Sequence, residues 1–375
     1  MFDYRDSLEV LDKNIPLSEK LQYLHAILKQ RCPFIDRIAI ALYDPQTETI
    51  KTFIDSSGDD TPLQHYEARL EDAPSLQIIM QKNQPRVVND LGIFQHGSHY
   101  HTQRISAQGY ASSYTLPIYF EGDFFGFLFY NSYQASPFDI ETLHYLDVFA
   151  HLISFMIAQD LGSMKNLLAS VKTARDIMHY RDDETGSHLN RMSHYVRLIA
   201  LKTASRFHLS DEFIEHLFIY APLHDIGKIG TPDRILLKPA KLSKEEFEIM
   251  KQHTRIGRNI VDSMLNNFHL SRMPWVQILR NITELHHEAV NGNGYPKGLK
   301  GEEIPVEARI VAVADVFDAL TNRRPYKQAW SNDEAFAMLH HLANSKLDGL
   351  CVEALDKSRR EVESIQQRFH ENSKG

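Results

Sequence analysis

Cysteine is nearly absent. Cys32 and Cys351 are the only two in 375 residues, too few for a disulfide framework or a thiolate zinc site, which points to a reducing compartment. Positive charge is also short, with 41 Lys and Arg against 49 Asp and Glu and a net charge of -8. That balance argues against a chain that coats nucleic acid or an anionic membrane through bulk charge, so any phosphate ligand needs a local positive site. The opening Met-Phe-Asp-Tyr-Arg-Asp lacks the basic and apolar regions of a signal peptide. The longest apolar stretch, 148–158, is interrupted by His151 and Ser154 and is too short to span a bilayer. Repeats and low-complexity segments are missing too. Together these predict a cytoplasmic protein with no membrane or nucleic-acid polymer as partner, long enough for two domains. Histidine, by contrast, is abundant: nine of the 20 lie between His188 and His287.

The first part reads as mixed α/β. Pro16 to Lys29 has helical spacing, with Leu21, Leu24, Ile27 and Leu28 on one face. Arg37 to Tyr43 and Thr49 to Ile54 read as strands either side of a turn at Asp44-Pro45-Gln46. A polar middle with a helix near Ser75 to Lys82 follows. Ser113 to Phe120 and Phe124 to Tyr130 then suggest an antiparallel hairpin. Ser136-Pro137 is expected to open a long helix, Ser at the N-cap and Pro at the first position. Apolar residues recur along it at Ile157, Leu161, Met164, Leu168 and Val171, a heptad seam. Its first half is expected to pack on its own domain. Beyond Ala158 no other element is available to cover the stripe, which predicts a two-stranded linker in a homodimer.

From about Ala174 the pattern is almost entirely helical. Ser243-Lys-Glu-Glu246 is a capping box for a helix through Met250 and His253. Val276 to His286 is amphipathic, and Pro305 starts a helix to about Leu320 whose Ala308, Ala312, Ala314 and Ala319 permit close packing.

Glu184 and His188, spaced i, i+4, project from one helical face, with Met192, Tyr195, Val196 and Ile199 continuing toward a core. His224-Asp225 follows with Gly227 and Lys228, then His253, the doublet His286-His287, and Asp315 inside an apolar run. One histidine on a helix is ordinarily a core or surface residue. Asp315 is harder to account for, because a carboxylate in a buried helix must be paired or bound to a cation. Separate helical segments each offering imidazole or carboxylate, without cysteine, suit a multi-ion site for borderline or hard cations.

These residues fall in the motifs Arg181-Asp-Asp-Glu-Thr-Gly-Ser-His188, Leu223-His-Asp-Ile-Gly-Lys-Ile-Gly230, His286-His-Glu288, Asn291-Gly-Asn-Gly-Tyr-Pro296, Arg309-Ile-Val-Ala-Val-Ala-Asp315 and Arg324-Pro-Tyr-Lys327. In order and spacing, residues from about Asp182 to Gln328 resemble the HD-GYP domain, a bacterial subset of the HD-superfamily phosphohydrolases. The resemblance implies hydrolysis of cyclic di-GMP to pGpG and onward to GMP. It implies His188, His224, Asp225 and Asp315 as ligands of one ion and His253, His286 and His287 as ligands of a second, with Asp225 bridging. Glu184 marks members able to hold a third, so two or three divalent ions are expected, iron or manganese. Close cations lower the pKa of a shared water and neutralise phosphoryl charge, which reconciles an acidic chain with an anionic substrate. By the same resemblance Lys228 contacts phosphate, while Arg324 and Lys327 grip phosphate or guanine. In the Asn291–Pro296 loop, Gly292 and Gly294 are expected to permit positive φ and close approach, with Tyr295 reaching the substrate. Without the resemblance this loop reads as a surface turn.

Some positions depart from the pattern. Ala289-Val290 stand where a basic residue and an aromatic are usual, Asn291 replaces Asp, Ala240 replaces Gly, and Asn322-Arg323 replaces Ser-Asp. None removes an implied ligand, though they leave cyclic GMP-AMP or pGpG open as better substrates. Residues to about Gln159 resemble a GAF domain, implying a sensor for a small ligand. His96, His99 and His101 cluster there in what reads as a solvated loop. The expected architecture is therefore an α+β GAF-like domain over 1–159 (antiparallel sheet with flanking helices), a linker helix over 160–180, and an all-α HD-GYP domain over 181–375. Two rivals stand beside the enzyme: a silent effector that binds cyclic di-GMP, and an enzyme for another cyclic dinucleotide.

Overall fold

A computed structural model describes residues 6–57, 63–91, 108–120, 122–177, 186–322 and 329–370, with the side chains of 164–168, 170–177 and 186 outside that description. Glu184, Arg324, Lys327 and the histidines at 96, 99 and 101 lie outside the described residues. The chain forms two compact units, Met1–Ser163 with Ser210–Glu212, and Met164–Leu209 with Phe213–Gly375.

The N-terminal unit is built on a six-stranded antiparallel sheet, β1 (Arg37–Asp44), β2 (Thr49–Asp55), β3 (Glu67–Arg69), β4 (Arg86–Val88), β5 (Ser112–Phe120) and β6 (Asp123–Ser132), in the order β3-β2-β1-β6-β5-β4. The central strand β1 is buried along most of its length, as its unbroken Ile-Ala-Ile-Ala-Leu run requires. Two helices flank the sheet, α1 (Leu17–Lys29) and α2 (Pro74–Lys82). The apolar spacing of α1 buries Leu21, Leu24 and Leu28 completely, while Leu76 and Ile79 of α2 pack with Ala41, Ile50 and Phe127 of the sheet. Within the unit lies a cavity of about 120 Å³, largely apolar, lined by Ala41, Phe53 and Phe129 and by the polar Arg37, Ser113 and Asn131.

The long helix α3 runs from Ile140 to Ile177. It starts later than Ser136-Pro137 suggests, because Ser136 takes φ +56 and Asp139 does the capping, its carboxylate accepting from the Thr142 N–H at 2.8 Å. The Tyr130 hydroxyl donates to the Leu146 carbonyl and the Tyr114 hydroxyl to Asp147, which ties the first half of α3 to the sheet. Residues 140–163 are long and apolar enough to cross a membrane on composition. Here Leu146, Ile153, Ile157 and Leu161 are buried within one copy of the chain, and Gly162 lies against the Phe120 ring. The covered part of the stripe therefore reaches past Ala158, to Leu161.

The C-terminal unit is helical: α4 (Gly186–Phe207), α5 (Asp211–Tyr220), α6 (Asp233–Leu236), α7 (Lys244–Lys251), α8 (His253–Asn267), α9 (Val276–Leu285), α10 (Val306–Thr321), α11 (Asn332–Leu342), α12 (Gly349–Asp356) and α13 (Arg359–Arg368). Met192, Tyr195, Val196 and Ile199 of α4 are fully buried, and α10 packs against α4, its Ala308 and Ala314 permitting close approach. The capping box at Ser243 is present, but the helix it opens ends at Lys251 and His253 begins a new one. That break lets α8 follow its own line across α9.

Candidate metal centre

Two short 3₁₀ turns, Ala221–Leu223 and Ile226–Gly230, bracket His224 and Asp225 and aim both side chains inward. The 226–230 turn crosses α8 with almost no gap. A Cβ on Gly227 would sit 1.8 Å from the His253 carbonyl oxygen and 2.4 Å from the Gly257 nitrogen. Two glycines thus bring Asp225 and His253 together. α9 ends at Leu285, so His286 and His287 project from its C-terminal end, and Asp315 comes from the middle of α10.

Two sets of donors result. Asp225, His253, His286 and His287 each offer one ligand atom, and these lie within 4.8 Å of one another; His224, Asp225 and Asp315 form a second such set. Asp225 belongs to both. His253 Nε2 and His286 Nε2 stand 3.3 and 3.5 Å from Asp225 Oδ1, and His224 Nε2 stands 3.2 Å from Oδ2 and 3.9 Å from Asp315 Oδ1.

The tautomers follow from the backbone. Nδ1 of His224, His253 and His286 contacts the carbonyls of Ala221, Met250 and Ile282 at 2.8, 2.7 and 2.7 Å. A carbonyl only accepts, so each Nδ1 carries a proton and each Nε2 is the ring atom turned toward Asp225. Nε2 of His253 and of His286 lie 3.5 Å apart, and Asp225 Oδ1 is buried with no hydrogen-bond partner. Two imidazole Nε2 atoms turned toward one another and toward a buried carboxylate oxygen form an arrangement that a shared cation would satisfy. The donor set therefore fits divalent cations, and the backbone carbonyls supply the outer hydrogen bonds that orient metal-binding imidazoles.

Charge supports the same reading. Burial alone would raise the Asp225 carboxyl, but the Lys228 ammonium, 2.8 Å from Oδ2, and His224 hold it well below the usual carboxylate range. Burial pushes His287 well below its ordinary value, aided by neighbouring His286. Burial also lowers His253, against the pull of Asp225. Neutral imidazoles and an ionised carboxylate are the forms a cation binds.

His188 stands beside the second set without joining it, its ring centroid 6.1 Å from that of His224. Its Nδ1 meets Asp318 Oδ2 at 2.6 Å, and Arg191 Nε donates to the other oxygen at 2.8 Å. Tyr295 lies against the His287 ring at 4.8 Å, within reach of the cluster. Its loop is held by Glu288, whose carboxylate accepts from the N–H groups of Lys297, Gly298 and Leu299 at 2.6, 3.2 and 2.9 Å. Gly292 has φ +82 as expected, whereas Gly294 serves space: a Cβ there would lie 2.2 Å from the Ala289 nitrogen.

Residues 164–350 match the HD domain model, and residues 21–157 match the GAF domain model. The chain joins a GAF domain to an HD domain. Its HD half is 46% identical over 188 residues to the cyclic di-GMP phosphodiesterase response regulator RpfG of Xanthomonas campestris, covering 50% of this chain and 47% of that protein. It is 44% identical over 192 residues to a cyclic di-GMP phosphodiesterase of Thermotoga maritima, covering 51% of this chain and 49% of that one. A 3′3′-cGAMP-specific phosphodiesterase of Vibrio cholerae is 37% identical over 154 residues, covering 41% and 27%. The chain spans less than half the length of each of these relatives.

Several residues that shape the cluster escape a reading of single residues. Asp318 is one; its spacing of three from Asp315 places both on one face of α10 and is the available signal. Arg191 repeats the three-residue step from His188. For Gly227 and Gly257 the sequence carries no signal beyond the glycines themselves.

Proposed function

We propose that the HD domain is a metal-dependent phosphodiesterase that hydrolyses cyclic di-GMP to pGpG and onward to GMP, regulated by the GAF domain. The observation that carries this reading is the set of imidazole Nε2 atoms facing Asp225 Oδ1 from separate elements, at 3.3 and 3.5 Å for His253 and His286. Asp225 would be shared between two ions, with His253, His286 and His287 on one and His188, His224 and Asp315 on the other. Glu184 would serve a third. Iron or manganese suits this imidazole and carboxylate set. Bound divalent ions would lower the pKa of a water between them and offset charge on the phosphoryl oxygens.

The remaining work falls to side chains. Lys228 would pass part of its charge from Asp225 to a phosphate oxygen. Burial, and then the Asp225 charge, push the Tyr295 phenol far up, so it stays protonated and donates a hydrogen bond to the substrate. Arg324 and Lys327 would grip phosphate or guanine, one as a planar fork and one as a point charge. We place the sensor at 1–159, the linker at 160–180 and the enzyme at 181–375, in a cytoplasmic homodimer joined through the linker helix. The cavity in the GAF domain suits a small, mostly apolar regulator bearing an acceptor for Arg37, whose buried Nε has no hydrogen-bond partner.

A second reading, cyclic GMP-AMP as substrate, draws support from the 37% identity to the cGAMP-specific relative. The test is anaerobic purification, metal analysis, and chromatography of cyclic di-GMP, cyclic GMP-AMP and pGpG after incubation. Turnover that disappears in Asp225→Ala, with helical content kept, supports the enzyme. Tight binding without turnover in a fully metallated sample would show a silent effector instead.

A further inference from the structure

Beside the metal centre stands a helix that contributes nothing to a core. None of the eight residues of α7 (Lys244–Lys251) is buried. It is nevertheless fixed at its start by the Ser243 capping box and by Lys238, whose Nζ donates to Glu246 at 2.5 Å. Its large apolar side chains, Phe247 and Ile249, are 46% and 39% exposed. A capped helix that presents Phe to solvent next to a reaction centre invites a functional explanation.

The geometry supplies one. The Phe247 ring stands nearly perpendicular to Tyr295, with centroids 6.2 Å apart and an interplanar angle of 85°. Tyr295 in turn lies 4.8 Å from His287, a member of the donor set around Asp225. The Lys251 ammonium sits in the corner between the two rings, 5.2 Å from the Phe247 centroid and 5.7 Å from that of Tyr295. One of its partners is Glu248 at 2.5 Å. An ammonium has three hydrogens to donate, so this ion pair does not exhaust it.

Resting on the cyclic-dinucleotide reading above, we infer that Phe247 and Lys251 form a base subsite that selects guanine over adenine in the substrate. A purine laid on the Phe247 ring gains stacking energy whatever its identity. Its edge then meets the ammonium. Guanine offers two acceptors there, O6 and N7, whereas adenine places its N6 amino donor where guanine has O6. Phe247 thus supplies affinity and Lys251 supplies choice. Tyr295 links this corner to the metal centre, so a base held here leaves its phosphate near Asp225.

The test uses the full chain loaded with manganese and equilibrium dialysis of GMP and AMP, neither of which contains a phosphodiester to hydrolyse. The wild type is expected to bind GMP about tenfold more tightly than AMP. Phe247→Ala should weaken both nucleotides about tenfold, the scale of one lost base–aromatic stack. Lys251→Met should weaken GMP alone and erase the preference, and Lys251→Arg should restore it. A wild type without preference, a Phe247→Ala variant that binds as the wild type does, or a Lys251→Met variant that weakens both nucleotides equally would overturn the subsite. Turnover of cyclic di-GMP by the wild type is measured separately. Its absence with the nucleotide pattern intact would overturn the reaction and keep the subsite, and the converse would overturn the subsite alone.

Discussion

At Asp225, burial and charge pull in opposite directions, and charge prevails: Lys228 and His224 keep the carboxylate ionised in a place that would otherwise protonate it. Asp318 plays the supporting part at His188. Burial would raise its carboxyl, yet the hydrogen bonds from His188 and Arg191 hold it below the ordinary range. Asp318→Asn leaves the side chain's shape but loses the charge that orients His188, and is expected to weaken metal affinity by about 10–100-fold. Titration with a competing chelator reads this; unchanged affinity would place His188 outside the coordination. Glu307 allows a prediction free of metal. Burial raises its carboxyl above the ordinary 4.5, even though Asn281 donates a hydrogen bond to it. The folded state then holds this proton more tightly than the unfolded chain, so the contribution to stability is present below 4.5 and lost as pH rises through the raised value. Glu307→Gln escapes that loss. Thermal melting should show the variant above wild type at pH 8 and level with it at pH 4. The clustered histidines stood out in the sequence because imidazole in such number is rare, whereas Asp318 and Glu307 look like any helical acid until the packing is known.

Among the elements, the crossing of the 226–230 turn over α8 decides whether the site exists. Gly227→Ala would drive a methyl group into the His253 carbonyl and the Gly257 nitrogen. The variant is expected to lose about 1–3 kcal/mol of stability and most of its metal, read by denaturant melts and metal analysis. A stable, fully metallated variant would show that the crossing yields. Local patterns explain which elements could be read in advance. β1, β2, β5 and β6 each have three or more residues of β-branched or aromatic type, and α9 and α10 carry a full apolar stripe. β3 and β4 are three-residue edge strands, too short for any period to show, and their pairing comes from neighbours distant in sequence. The start of α3 was misread for a similar reason. Ser136-Pro137 has the right residue types, but Asp139 is the side chain that meets the first free N–H groups, and only the backbone shows which of two competent caps is used.

At the scale of the whole molecule, one helix carries the chain from the GAF domain into the HD domain, and the two compact units part within it at 163/164. The heptad spacing places Leu161 on the stripe, but its burial could not be read in advance, since the spacing alone does not reveal what covers it. The proposed dimer seam would run on through Met164, Leu168 and Val171. Leu168→Glu is expected to shift the mass seen by sedimentation from dimer to monomer, while Phe155→Glu, on an exposed face of the same helix, should leave it unchanged. A monomeric wild type would remove the dimer from the account. The central claim lies at the junction of all three scales, where separate elements deliver imidazoles and carboxylates to one point. Diffraction from crystals of the metal-loaded protein, collected on either side of the metal's absorption edge, tests it most directly. The account predicts anomalous density on both sides of Asp225, one peak among His253, His286 and His287 and one among His188, His224 and Asp315. Loaded crystals with no anomalous density at Asp225 would contradict it.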